Sequence, residues 1–188
     1  MAKYSIETTK LDGVKLIHYS YSEDNRGYFL KQFEKGAFKE LGLMTNIDET
    51  FESFSKHGVI RGLHYQEEEY AQKRYIRVIT GEIYDVCVDI RPDSETFGKW
   101  IGVYLNSEQH KALYVERGFA HGFQVTSDYA IVSYICDGGY CPDHENGIIY
   151  SDKTLSIDWP INDEECVILS SRDAKFQTFE EYCLINNC

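Results

Sequence analysis

The sequence has no run of about eighteen apolar residues, the length a membrane-spanning helix needs. Its opening MAKYSIETTKLDGVKLI also lacks the apolar block of a secretory signal, so neither a membrane partner nor export is expected. Proline is scarce, at positions 92, 142 and 160, and no Gly/Ser-rich linker, internal repeat or low-complexity tract divides the chain. A single domain over residues 1–188 is therefore expected. Six cysteines occur (87, 136, 141, 166, 183, 188), but no CxxC pair and no zinc-type spacing. They read as reduced structural thiols of a cytoplasmic chain. Basic residues are outnumbered 19 to 31, a net charge of −12, which sets the average surface against nucleic acid and anionic membranes. A small anionic ligand on a local basic cluster is still compatible with that balance.

Aromatic residues, by contrast, are abundant: 15 Tyr and 10 Phe, side chains that suit sheet faces and pockets. Short runs rich in Val, Ile, Tyr and Phe recur between turn signals at 14–19, 28–33, 59–65, 75–79, 83–90, 100–105, 112–115, 123–125 and 130–136. Alternation is clearest in Ile83–Ile90, where Tyr84, Val86, Val88 and Ile90 share a core face while Asp85 and Asp89 share a face polar enough to line a cavity. Thr80-Gly81-Glu82 reads as a tight hairpin turn that would pair this strand with Tyr75–Ile79. Helical pattern is confined to Lys35–Leu41 and Phe179–Ile185. The expected fold is all-β, an antiparallel double-sheet jelly roll with a few short helices.

Four segments could carry chemistry. Gly58–Gln66 places Arg61 and His64 around Gly62; three residues apart, they would point to opposite faces of a regular strand unless Gly62 allows a bulge. Glu116–Phe123 sets His121 among glycines that permit close approach of a ligand. Tyr134–Glu145 ends a strand with Tyr134 and Tyr140, and Leu169–Asp173 offers a carboxylate able to orient an imidazole. Each has an ordinary reading of its own: a strand histidine bonded to backbone, a rim aromatic, a solvated turn. The remaining histidines, 18, 57, 110 and 144, show no paired ligand spacing, and no metal is expected.

Taken together, Asp24-x-Arg26-Gly27-Tyr28-Phe29, Arg61-Gly62-Leu63-His64-Tyr65-Gln66, Asp85-Val86-x-Val88-Asp89-Ile90-Arg91, Gly118-Phe119-Ala120-His121-Gly122-Phe123 and Asp158-Trp159-Pro160 resemble, in order and spacing, the dTDP-4-dehydrorhamnose 3,5-epimerase family. That family is similar to metal-free cupins, usually homodimeric, acting without cofactor on a nucleotide-diphosphate sugar. The resemblance implies that His64 is the base with Asp173 as its carboxylate partner, Tyr134 the acid on the opposite face of the sugar, and Tyr140 the aromatic that stacks on the nucleotide base. It implies substrate binding for Arg26, Arg61, His121, Glu145 and Arg172, of which three are cations suited to a diphosphate.

The chemistry asks for the same parts. Hydrogens at C3 and C5 are acidic because the C4 ketone holds the charge as an enolate, so a base, an opposed acid and a donor or cation near the oxygen suffice. An imidazole with pKa near ~6.5 accepts a proton at neutral pH, and a phenol stays protonated until it is needed. Three substrate-binding positions depart from the family pattern: Arg74 stands where the family has Lys after Ala-Gln-Gly, Lys31 where it has Glu, and Glu49-Thr50-Phe51 where it has Gln-Asp-Asn. Lys73, the neighbour of Arg74, should face the other way. These exchanges bear on the nucleotide, the sugar and whether one or both carbons invert. The alternatives are a mono-epimerase of another 4-keto sugar, a non-catalytic nucleotide-sugar binding cupin, and a metal-dependent cupin oxygenase.

Overall fold

The computed structural model describes residues 4–163 and 165–188. Its strands are β1 (Tyr4–Thr8), β2 (Val14–Tyr19), β3 (Tyr21–Asp24), β4 (Gly27–Leu30), β5 (Glu49–Lys56), β6 (Ile60–Gln66), β7 (Lys73–Thr80), β8 (Glu82–Asp89), β9 (Trp100–Asn106), β10 (Lys111–Val115), β11 (Phe119–Val125), β12 (Tyr129–Asp137) and β13 (Glu145–Gly147), with helices α1 (Lys35–Glu40) and α2 (Phe179–Asn186). Six strands form one sheet in the order β1-β2-β10-β7-β12-β5, and five form a second in the order β13-β6-β11-β8-β9. The strand pairs are antiparallel and the two sheets face each other, the jelly roll that the strand rhythm implies.

Alternation along each strand sorts side chains between the layers. Leu16, Ile76, Val78, Ile83, Leu113, Phe123 and Val132 meet between the sheets. The outer face of the five-stranded sheet is covered by the C-terminal segment, with Trp159, Phe179 and Tyr182 on Val86, Val88 and Ile60. The outer face of the six-stranded sheet buries Phe38 of α1 against Tyr75, Tyr114 and Ile17. Helix α2 begins at a reciprocal capping box, Thr178 with Glu181, which satisfies two amides at its start and fixes where Phe179 and Tyr182 enter the core. Among the described residues no helix is long and apolar enough to cross a membrane.

Two expectations are corrected. The Thr80-Gly81-Glu82 turn does not close a hairpin: β7 pairs with β10 and β12 in one sheet, and β8 with β9 and β11 in the other. Gly81, at φ +81°, is instead a corner where the chain changes layers, and a Cβ there would lie 2.0 Å from the Tyr129 carbonyl oxygen. Local alternation is the same on both sides of a hairpin and of a corner, so the sequence pattern does not separate them. Nor is either face of β8 open: Asp85 and Asp89 are both fully buried, in the layer between the sheets. Asp89 is satisfied by Arg91, Ser94 and Thr96 at one end, and Asp85 lies beneath the cavity described below.

Strands β1, β3, β5 and β13 are not anticipated by the run of β-branched and aromatic residues. β5, ETFESFSK, is polar at most positions and forms because it is the outermost strand of its sheet, needing only one partner and one covered face. The expected strand at 28–33 is shorter, Gly27–Leu30, and pairs only with β3 as a hairpin outside both sheets.

Candidate active site

Between the sheets opens a cavity of about 410 Å³ whose walls come from both layers: Phe51 of β5, Arg74 of β7 and Tyr134 of β12 on one side, Arg61 and His64 of β6 and His121 of β11 on the other. Tyr140, Glu145 and Arg172 close one end. Arg61 and His64 reach the same space because β6 carries a bulge. His121 is paired with His64 and Phe123 with Arg61, so three steps on β6 match two on β11. Gly62 makes this possible at φ +134°, where an added Cβ would sit 2.5 Å from Gly122 Cα.

His64 is held from several directions. Its Nε2 lies 3.1 Å from Asp173 Oδ1, its Nδ1 lies 4.0 Å from Glu145 Oε1, and Phe176 meets the ring edge to face at 5.4 Å. With Nε2 turned to Asp173, Nδ1 is the nitrogen free to exchange a proton with a ligand. Asp173 itself is buried behind the imidazole rather than in the cavity wall. Burial alone would raise its pKa, but the hydrogen bond and charge of His64, the Ser170 hydroxyl at 2.8 Å and the Gly62 amide at 3.2 Å outweigh it and hold the carboxyl at about 2. Asp173 is therefore a fixed negative charge that orients the imidazole through Nε2.

Across the cavity Tyr134 is 7% exposed. Burial first, and then the charge of Asp85, push its phenol well above the usual tyrosine range, which keeps the proton on oxygen. Phe51, its direct neighbour across the β5–β12 ladder, stacks on it with ring centres 4.6 Å apart and planes 14° from parallel. His121 Nε2 lies 2.7 Å from Asp85 Oδ1, which accepts from it, while Asp85 Oδ2 has no hydrogen-bond partner among the described residues. Burial raises the pKa of Asp85, with His121 opposing.

The basic residues divide by position. Arg74 lines the cavity and bonds Gln72 Oε1 at 3.2 Å, whereas Lys73 turns away to Glu116 at 2.9 Å, as strand alternation requires. Arg61 is fixed by Ser55 Oγ at 2.8 Å and the Phe54 carbonyl at 3.2 Å. Arg172 grips Glu145, which also accepts from Tyr140 at 2.7 Å. Arg26 and Lys31 are not in the cavity of their own chain: Arg26, at the tip of the β3–β4 hairpin, pairs with Asp24, and Lys31 pairs with Glu34.

One group has the elements of a metal site: Asp85, Cys87 and His121, with ligand atoms within 4.8 Å of one another. It brings together residues two apart on β8 and one on β11, a pairing invisible in sequence spacing. A cation there would have to break the His121–Asp85 hydrogen bond and ionise a thiol whose pKa burial pushes well up. The trio fits a hydrogen-bonded pair beside a buried thiol better than a ligand set.

The family model described as dTDP-4-dehydrorhamnose 3,5-epimerase matches residues 8–181. The chain belongs to this epimerase family. It is 40% identical over 181 residues to the dTDP-4-dehydrorhamnose 3,5-epimerase of Methanothermobacter thermautotrophicus, covering 96% of this chain and 97% of that protein. It is similar in structure, with a TM-score of 0.89 and 40% identity over 94% of this chain and 93% of the other, to the dTDP-6-deoxy-D-glucose-3,5-epimerase of Legionella pneumophila in complex with dTDP-4-keto-L-rhamnose. A 3'-monoepimerase from Streptomyces bikiniensis in complex with dTDP-quinovose has the same TM-score, 0.89, at 29% identity, over 95% of this chain and 89% of that one. Chains similar in fold to this one thus include both a 3,5-epimerase and a 3'-monoepimerase. Of the cavity lining, Glu52, Ser53 and Gln72 do not stand out in the sequence as binding residues, because nothing local marks a polar residue of an edge strand or a loop as facing inward. Asp85 was visible through its alternation with apolar neighbours.

Proposed function

We propose that this epimerase inverts C3 and C5 of dTDP-4-dehydro-6-deoxyglucose, giving dTDP-4-dehydrorhamnose, with His64 as base and Tyr134 as acid. The observation that carries the reading is their placement: an imidazole backed by a buried carboxylate on one sheet and a buried, protonated phenol on the other, facing the same cavity. In each half of the reaction His64 Nδ1 takes the proton from the carbon next to the ketone, and the C–H electrons move to the C4 oxygen as an enolate. The enolate then collapses as Tyr134 protonates the carbon from the other face, and before the second half His64 gives its proton to solvent and the Tyr134 phenolate takes one back. Arg74 and His121 are the donors on hand for the enolate oxygen, Arg61 and Arg172 suit the diphosphate, and Tyr140 the base of the nucleotide. No step in this scheme moves an electron to or from a cofactor.

The whole chain acts as one catalytic unit in the cytoplasm, as a homodimer. What supports the dimer is the β3–β4 hairpin, which lies outside both sheets, exposes Tyr21, Tyr28 and Phe29, and carries Arg26 away from its own cavity. Such a hairpin suits delivery of Arg26 to the cavity of a partner copy.

The test is uptake of solvent deuterium into the nucleotide 4-keto sugar. Exchange at both carbons is expected, and His64→Ala is expected to lower both by about a hundredfold or more. Tyr134→Phe is expected to impair inversion more than removal of the proton. No exchange with this or other nucleotide 4-keto-6-deoxy sugars would sink the proposal. Exchange at one carbon alone would identify a mono-epimerase, a reading favoured by Phe51 standing where the family pattern has an amide.

A further inference from the structure

The inward face of β5 presents three residues at alternate positions, and each attends a different cavity group. Ser55 holds Arg61 at 2.8 Å. Ser53 turns a buried hydroxyl to the Tyr134 phenol. Phe51 lies flat on the Tyr134 ring. Tyr134 otherwise packs into the core between the sheets, and the His121 ring meets it edge on at 6.4 Å and 76°. An edge contact leaves a ring free to pivot about its long axis, and a parallel stack does not. Phe51 is thus the contact that fixes the plane of the phenol. It does so from the outermost strand while itself 44% exposed at the cavity mouth, so that the stack adds to the core in constraining the acid.

We infer that Phe51 is a positioning residue for Tyr134 and that its stack sets how evenly the acid serves the two carbons flanking the ketone. The two targets lie on either side of C4, so one phenol must deliver to both from a single anchored ring. Proton transfer falls steeply with misplacement, and a small pivot of the ring favours one carbon over the other. The inference rests on the epimerase reading above, and it adds the residue on which the balance between the two inversions depends.

The experiment compares Phe51→Leu, Phe51→Trp and the unmodified protein on dTDP-4-dehydro-6-deoxyglucose in deuterated solvent, following C3 and C5 separately together with KM. Phe51→Leu keeps an apolar side chain but removes the stack. It is expected to change the ratio of C3 to C5 exchange by about threefold or more while KM stays within about twofold, and Phe51→Trp is expected to restore the ratio. Phe51→Met carries the same comparison if the leucine variant does not fold. An unchanged ratio, with both rates falling together or with KM alone rising, would overturn the inference and leave Phe51 as ordinary binding surface. If the unmodified protein exchanges only one carbon, the appearance of the second in Phe51→Leu supports the inference and its continued absence overturns it. Failure of the unmodified protein to exchange either carbon would count against the proposed function, not against this role of Phe51.

Discussion

Asp173 shows how much one buried carboxylate governs at this site. Its folded pKa of about 2 lies below the usual 3.8, so its contribution to stability is complete above about pH 4 and is lost as the pH falls towards 2. The shift corresponds to about 2 kcal/mol at neutral pH. Asp173→Asn is expected to lower urea stability at pH 7 by roughly that amount, and the gap between variant and parent is expected to narrow between pH 4 and pH 2. At this scale much was legible. Arg61, His64, His121, Tyr134 and Tyr140 stand out as polar or broad side chains set among glycines and strand residues, and all five reach one cavity. Asp173 was legible as a candidate carboxylate, but its link to His64 crosses 109 positions of sequence and came from family resemblance alone. Strand alternation separated Arg74 from Lys73 before any fold was known.

At the scale of the element, the bulge of β6 decides whether there is a site at all. Without the extra residue Arg61 and His64 would point to opposite sides of the sheet. Gly62→Ala would bring a methyl group to 2.5 Å from Gly122 Cα at a φ that suits glycine. It is expected to cost about 2 kcal/mol or more in urea unfolding and to abolish exchange, whereas Gly36→Ala in α1, with nothing within 4 Å, is expected to be silent in both assays. Most strands were readable because their buried faces repeat every second residue. β5 was not, since an edge strand is held by its neighbour and can be polar, and the corner at Gly81 has the sequence of a hairpin because layer changes leave no local mark.

At the scale of the whole molecule the proposed dimer makes its own prediction. If the hairpin brings Arg26 to a partner's cavity, His64→Ala and Arg26→Ala chains should each be weak alone but complement when co-expressed, because half of a mixed dimer keeps both residues in one site. About a quarter of the parent activity is expected from random pairing, and no recovery would place Arg26 outside the site. The double-sheet architecture itself followed from composition and rhythm, whereas assembly did not, for exposed aromatic residues on a hairpin have no periodicity to read. The cavity lining has a last consequence. Three arginines, 61, 74 and 172, are matched by three glutamates, 49, 52 and 145, so the walls that one chain contributes sum to no formal charge within a protein of net −12, and a partner's Arg26 would add a single positive charge. Substrate and product carry the same diphosphate, and a strongly cationic pocket would grip both alike, slowing departure without hastening the chemistry. A balanced wall places the diphosphate by geometry and leaves the finished sugar nucleotide free to go.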